Sequence, residues 1–114
     1  MRYQSQFLAL MLLVVLGMPS VSWGAEKEEA CRRKLVKAQE LGMLYDLDWK
    51  PPKEPRVVVG KTFFRVAIDA KEGFAETLNC FLMGGDNKYI NFNLIHWRTG
   101  KKVGRWSYGR LKMY

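Results

Sequence analysis

Histidine is the side chain that most often moves protons near neutral pH, and this chain has one histidine, His96. A general base, a catalytic triad or a zinc site would have to start there. His96 stands beside Trp97 at the end of a predicted strand, where an ordinary amphipathic surface role is expected. No partner with a recognised catalytic or metal-binding spacing accompanies it. The sequence therefore predicts a protein that is not an enzyme, with no metal and no cofactor.

The two cysteines, Cys31 and Cys80, are the other side chains with reactive chemistry. They lack the Cys-x-x-Cys spacing that tunes thiol acidity in redox enzymes, which disfavours a reactive thiol pair. A disulfide between them would close a loop of about 50 residues and would stabilise the fold by roughly 4 kcal/mol in the chain-entropy model. We therefore predict one intramolecular disulfide.

The acidic residues offer a weaker possibility. Glu72 and Glu76 stand one helical turn apart and could in principle share a cation. Such pairs usually form a solvated helix face, and Lys71 is adjacent. We predict no metal site here.

The C-terminal segment carries the one pattern that could recognise a ligand. From Arg98 to Tyr114 there are six basic residues and no acidic residue, and aromatic residues are interspersed among the basic ones. Cations beside stacking surfaces suit phosphates, sugar acids, anionic lipid head groups or an acidic protein patch. We predict an anion-binding surface formed by Trp97, Arg98, Lys101, Lys102, Arg105, Trp106, Arg110 and Lys112.

The same pattern also has a purely structural interpretation. Lysines and arginines can protect an exposed sheet edge from aggregation while the aromatic residues pack beneath helices. Strand alternation places Arg105 opposite to Trp106, so about half of the cations would share one face. The sequence leaves both interpretations open.

Two helices are predicted to position these residues. The first runs from Glu26 to about Leu47, where apolar residues recur with the spacing of one helical face. The second begins after Asp69, a predicted N-cap, and ends at Gly84-Gly85. Cys80 falls on the flank of its apolar stripe, so the disulfide is expected to tie helix to helix or helix to a neighbouring loop.

The strands are predicted from β-branched, aromatic and alternating segments. Val57-Val58-Val59 and Thr62-Phe63-Phe64 form either two short strands joined by a tight turn or one strand with a bulge. Lys88 to Trp97 alternates as a half-buried strand, and a turn follows. The rest of the chain continues as strand, with Gly104 and Gly109 as predicted bulges or points of close backbone approach.

These elements predict the α+β class. The expected architecture is a small single domain with the order α-β(β)-α-β-β, in which two helices pack on one face of a three- or four-stranded, mainly antiparallel sheet.

The N-terminal segment predicts export. Met1-Arg2 is positively charged, Phe7 to Gly17 is apolar, and Ser22-Trp23-Gly24 places small residues before a cut ahead of Ala25. We predict a cleaved signal peptide at residues 1–24 and a single domain at residues 25–114. The apolar run is about half of the roughly 20 residues that span a bilayer, so no transmembrane span is expected after cleavage.

The sequence thus predicts a small exported, non-catalytic binding module, periplasmic or secreted, whose C-terminal hairpin engages an anionic partner at the cell envelope. The partner would be a lipid head group, a glycan or an acidic protein surface, and nucleic acid is less favoured. The alternative is a protein-interaction or inhibitor module that docks a protein through a sheet edge and exposed aromatic residues. The sequence predicts no particular oligomeric state.

Overall fold

The computed structural model describes residues 22–114. Residues 1–21, and with them most of the predicted signal peptide, lie outside the described residues. The elements follow in the order α1 (Ser22–Glu40), β1 (Leu44–Asp48), β2 (Arg56–Val59), the short 3-10 helix η1 (Lys61–Arg65), α2 (Ile68–Leu82), β3 (Phe92–His96), β4 (Lys102–Ser107) and β5 (Arg110–Met113).

The five strands form one mixed sheet in the order β1-β2-β3-β4-β5. Strands β2 and β3 are parallel because η1 and α2 carry the chain back between them, and the other neighbouring pairs are antiparallel. The predicted α+β fold with two helices on a mainly antiparallel sheet is confirmed. The sheet has five strands, whereas three or four were predicted. Along the chain the helices and strands follow in the order α-β-β-α-β-β-β, with the 3-10 helix left out.

The hydrophobic core lies between the two α-helices and one face of the sheet. Strand alternation sends Val57 and Val59 of β2 and Phe92 and Leu94 of β3 to this face, where all four side chains are fully buried. Among the described elements, both α-helices and η1 contribute to this core, and we term the other side of the sheet the helix-free face. The helix residues in the core are Leu35, Ala38, Phe63, Phe74, Ala75, Leu78 and Leu82.

The first helix begins earlier, at Ser22, and ends earlier, at Glu40, than the predicted bounds of Glu26 and about Leu47. Gly42 adopts a left-handed backbone conformation, with φ of 82°. Its backbone N–H donates to the Gln39 carbonyl, and the backbone N–H of Met43 donates to the Ala38 carbonyl. This is the Schellman arrangement, which stops a helix and satisfies its last carbonyls. The C-terminal part of the predicted helix is therefore β1, an edge strand of the sheet.

The segment after β2 was predicted wrongly as strand. Residues 61–65 form η1, and this 3-10 helix directs the side chain of Phe63 into the core, where it is fully buried. The Gly60 N–H donates to the Met43 carbonyl, and the Thr62 N–H donates to the Gly42 carbonyl. The loop after α1 and the start of η1 thus bind each other, which takes Thr62 and its neighbours out of the sheet.

The second helix matches its prediction closely. Its N-cap is Ala67, so the predicted N-cap Asp69 is wrong and lies in the first helical turn, but the predicted Phe74–Leu82 stripe faces the core. It ends in the predicted glycine pair, since Gly84 and Gly85 both have positive φ. The predicted disulfide between Cys31 and Cys80 is confirmed, with the two Cα atoms 6.1 Å apart, and it joins α1 to α2.

The C-terminal segment forms a three-stranded meander rather than a single hairpin. Strand β3 leads through the turn at residues 97–100 into β4, and Tyr108 and Gly109, both with positive φ, connect β4 to β5. At Gly104 a Cβ atom would lie 3.0 Å from the Lys112 carbonyl oxygen, so the close backbone approach predicted for this glycine is confirmed.

Candidate anion-binding surface

Four of the predicted cations lie on the helix-free face, towards the β5 edge of the sheet. Arg105 pairs across the strands with Lys112, and Arg110 precedes Lys112 by two residues, so these three side chains share a face. Lys102 pairs with Ile95, which alternation directs away from the core. We term Lys102, Arg105, Arg110 and Lys112 the basic face.

Arg105 is the most restrained member of the basic face. Its two terminal nitrogens each donate to one carboxylate oxygen of Glu54 at 3.0 Å, and Nη1 also donates to Oδ1 of Asn93 at 3.0 Å. The hydrogen bonds from Arg105 hold the pKa of Glu54 below its ordinary value of 4.5, and the charges of Arg105 and Lys102 act in the same direction. Arg105 therefore serves mainly to tie the β1–β2 loop to the sheet.

The other three members remain available to a ligand. Lys102, Arg110 and Lys112 are exposed. Within residues 22–114 the two ion pairs join Arg32 to Glu29 and Arg105 to Glu54, so neither neutralises these three cations. No acidic residue follows Asp86 in the chain. The β4–β5 part of the basic face thus presents three positive charges that belong to neither ion pair, and of these Arg110 also lines a cleft with Glu72 and Glu76 of α2.

Three further predicted residues, Trp97, Arg98 and Lys101, lie at the turn between β3 and β4. Nδ1 of His96 accepts the backbone N–H groups of Arg98 at 3.0 Å and Thr99 at 3.3 Å, which fixes the turn. The imidazole of His96 therefore has a structural function, since its Nδ1 accepts hydrogen bonds from the backbone of the turn. Arg98 and Lys101 are exposed.

Trp106 does not belong to the candidate surface. It is only 2% exposed and packs in the core, where Phe92 stacks against it with ring centroids 6.3 Å apart. Its indole N–H donates to Oδ1 of Asn79. The prediction that Trp106 contacts a partner conflicts with this burial, whereas its predicted orientation opposite to Arg105 is confirmed.

Two tyrosines supply exposed aromatic surface near the basic face. Tyr108 in the β4–β5 turn is 80% exposed and Tyr114, after β5, is 67% exposed. Both phenols lie near enough to Arg105 to contribute to the upward shift of its pKa, after the larger effect of Glu54. The aromatic component of the surface therefore comes from tyrosines rather than from Trp106.

Sequence reasoning missed Glu54, Asn93 and Phe64 as neighbours of the predicted residues. Glu54 is in the proline-rich loop, and nothing in its spacing indicates that it reaches β4. Asn93 alternates with buried neighbours and could have been placed opposite Arg105 had the strand register been known. Phe64 was assigned to a strand, whereas η1 brings its ring to within 5.0 Å of the His96 ring, measured between centroids.

A separate cleft of about 360 Å³ opens beside Trp106, between α2 and the segment that precedes β3. Its lining includes the carboxylates of Glu76 and Asp86 and the ammonium groups of Lys27 and Lys88, so neither sign of charge dominates. Among residues 22–114, no three His, Cys, Asp or Glu side chains are grouped closely enough to hold a metal ion.

Comparisons with protein-family models, with curated proteins and with solved structures found no match to this chain.

Proposed function

We propose that the protein is a small exported, non-catalytic binding module whose basic face engages an anionic component of the cell envelope, a lipid head group or a glycan. One observation carries this proposal. Lys102, Arg110 and Lys112 are spread along one side of β4 and β5, and neither ion pair of the described residues includes them. Clustered charge of one sign on a rigid sheet attracts ligands of the opposite sign, and added salt weakens this attraction.

One feature supports the exported location. The Cys31–Cys80 disulfide is formed, and such bonds persist mainly in oxidising compartments outside the cytoplasm. Within residues 22–114 no helix combines the length and the apolar character that a bilayer crossing requires. Cleavage of residues 1–24 followed by release into the periplasm or the medium is part of the proposal.

The test compares polyanion binding of the oxidised protein with that of a charge-reversal variant. Lys102→Glu, Arg110→Glu and Lys112→Glu are combined, and Arg105 is left intact because its reversal would place a second carboxylate against Glu54. Binding to polyacrylate and to vesicles that contain an anionic phospholipid is measured by titration at several salt concentrations. We expect the variant to lose at least about tenfold in affinity.

A matched control reverses three exposed lysines elsewhere, Lys34, Lys37 and Lys50, which changes the net charge by the same amount. The control should bind within about threefold of the wild type, since only its long-range field is altered. Equal losses in both variants would mean that net charge alone drives binding, and an unchanged triple variant of the basic face would refute the proposal.

The alternative proposal is a module that docks a protein by strand addition. The observation that favours it is the position of β5, which is the last strand in the sheet order and is bordered by the exposed Tyr108 and Tyr114. Backbone pairing and aromatic anchoring depend little on salt. A protein partner that stays bound at 1 M NaCl and is lost in a Tyr108→Ala, Tyr114→Ala variant would favour this alternative over anion binding.

A further inference from the structure

A cluster of three aromatic rings lies at the end of the sheet where β3 meets η1. The rings of His96 and Trp97 stack nearly parallel, with centroids 4.2 Å apart and an interplanar angle of 14°. The ring of Phe64 leans against both, with centroids 5.0 Å from His96 and 5.9 Å from Trp97. We term Phe64, His96 and Trp97 the aromatic platform.

The platform is held in place from two sides. Phe63 next to Phe64 is fully buried, and the two rings meet edge to face at 5.4 Å, which anchors η1 in the core. The His96 ring is oriented by the two backbone N–H groups that Nδ1 accepts from the β3–β4 turn. A ligand would therefore meet rings that are already ordered, which lowers the entropic cost of binding.

The platform is accessible and is bordered by positive charge. Phe64 is 37% exposed, and His96 and Trp97 are half-buried. Exposed cations flank each ring-bearing segment, and no acidic residue occurs in either segment. The four cations are Lys61 and Arg65 of η1 and Arg98 and Lys101 of the turn.

The platform meets the basic face only along the chain, because His96 pairs with the core residue Val59 and the rings therefore lie on the helix-bearing side of the sheet. Lys101 closes the turn that follows Trp97, with its carbonyl accepting the His96 N–H at 2.8 Å, and Lys102 begins β4 and the basic face. A chain-like anion would have to bend round the strand end at Lys101 and Lys102 to contact both the rings and the basic face. A single head group would not need both surfaces.

We propose that the aromatic platform stacks on a sugar ring of an acidic polysaccharide while the surrounding cations bind its carboxylate or sulfate groups. This inference rests on the proposed function and narrows the anionic partner to a glycan. The axial C–H face of a pyranose ring packs on an aromatic face, and lipid head groups without such a ring gain nothing from it. Nucleic acid also stacks, but a disulfide-bonded protein resides mainly in compartments where nucleic acid is scarce.

The test separates ring recognition from charge. Polygalacturonate carries a pyranose ring with every carboxylate, whereas polyacrylate carries carboxylates on a ring-free chain. At matched carboxylate concentration and salt, the wild type should bind polygalacturonate about three- to tenfold more tightly than polyacrylate. The double variant Phe64→Ala, Trp97→Ala should lose this preference, so that the ratio of the two Kd values falls to about one.

Two further variants guard against misfolding and nonspecific effects. Phe64→Leu with Trp97→Leu keeps apolar bulk but removes the aromatic faces, and it should lose the preference in the same way while its thermal unfolding stays cooperative. Tyr45→Ala removes an aromatic side chain that is 61% exposed on β1, and it should keep the preference.

The outcomes distinguish the two proposals. Equal binding of both polymers by the wild type overturns the platform and leaves the proposed function standing. Binding to neither polymer and not to anionic vesicles overturns the proposed function. Tighter binding to single-stranded DNA than to polygalacturonate overturns the glycan assignment in favour of nucleic acid, and tighter binding to anionic vesicles overturns it in favour of lipid.

Discussion

Asn79 is the buried polar residue that ties α2 to the C-terminal strands. Its Oδ1 accepts the Ile90 N–H at 2.9 Å and the Trp106 indole N–H at 3.1 Å, and its Nδ2 donates to the Lys88 carbonyl at 2.8 Å. The side chain is 7% exposed, so water cannot readily replace these partners. One amide thus satisfies polar groups from two other segments at the core boundary.

Replacing Asn79 by Ala should therefore be costly. The substitution leaves two donors and one acceptor unsatisfied, and we expect a loss of about 2 to 4 kcal/mol in the free energy of unfolding, measured by urea titration. Asn87→Ala is the control, because this exposed amide accepts only a 3.4 Å contact from Lys27 and should change stability by less than about 0.5 kcal/mol. Similar effects at both positions would show that Asn79 is not an essential partner of Trp106.

The Glu54–Arg105 ion pair makes the free energy of unfolding depend on pH in the acidic range. Because the pKa of Glu54 is lower in the folded protein than its ordinary value of 4.5, the pair stabilises the fold fully above that value and loses its effect as pH falls through the folded-state pKa. Glu54 is about half exposed, so we expect Glu54→Gln to cost only about 0.5 kcal/mol at pH 7.

This cost should shrink as pH falls below 4.5 and vanish below the folded-state pKa of Glu54, where the carboxyl group of the folded wild type is protonated as well. Glu76→Gln, an exposed mid-helix position outside both ion pairs, provides the reference curve. A Glu54→Gln deficit that stays constant from pH 3 to pH 7 would show that the charge of the pair does not contribute.

At the scale of elements, periodic patterns were predicted well and loop backbones were not. The stripe of α2 and the alternation of β3 follow directly from apolar spacing, although β3 covers only Phe92–His96 of the strand predicted from Lys88 to Trp97. Helix α1 was extended too far because Tyr45 continues its apolar spacing, although Gly42 stops the helix. Helical spacing alone cannot show that a glycine takes a left-handed backbone, so the edge strand β1 was missed.

The contact between Gly42 and Gly60 explains why the second predicted strand became η1. A Cβ atom on Gly60 would collide with the Gly42 carbonyl oxygen, so this approach requires glycine. We expect Gly60→Ala to lower the free energy of unfolding by about 2 to 3 kcal/mol, because a backbone carbonyl cannot move aside as a side chain can.

Gly73→Ala is the matched comparison for this element-scale prediction. Gly73 lies inside α2, and no atom outside its own helix and its neighbours lies within 4 Å of the Cβ position. The same substitution there should raise the free energy of unfolding by about 1 kcal/mol through helix propensity. In urea titrations, we expect the free energy of unfolding to fall for Gly60→Ala and to rise for Gly73→Ala. A Gly60→Ala protein that is more stable than the wild type would contradict the close approach of Gly60 to Gly42.

For the whole molecule, charge composition was more predictable than the identity of the aromatic residues. The excess of cations after Arg98 is a property of the sequence, and strand alternation alone sorts Arg105 from Trp106. Which aromatic residues reach the surface depends on the pairing of distant segments. Trp106 became a core residue because Asn79 of α2 offers a partner for its indole, and Phe64 entered the surface because η1 abuts the turn after β3.

The helix-free face carries acidic residues at its β1 edge, where the exposed Arg56 of β2 is the cross-strand partner of Asp48, and mainly basic residues towards β5. Asp46 and Asp48 are exposed on β1, at the opposite edge of the sheet from Lys112 on β5. Four strand spacings separate the two edges, about 19 Å. That distance exceeds the Debye length of about 8 Å at 0.15 M salt but not the length of about 30 Å at 0.01 M.

A ligand bound at β4 and β5 should therefore sense these acids only at low salt. We expect Asp46→Asn with Asp48→Asn to leave the Kd for polyacrylate within about 1.5-fold at 0.15 M NaCl and to tighten it about two- to threefold at 0.01 M. Glu26→Gln with Glu40→Gln, exposed on α1, makes the same change in net charge and should tighten binding less at low salt. A marked gain at 0.15 M would contradict a site confined to the β5 side, because the bound polymer would then have to extend across the sheet to β1.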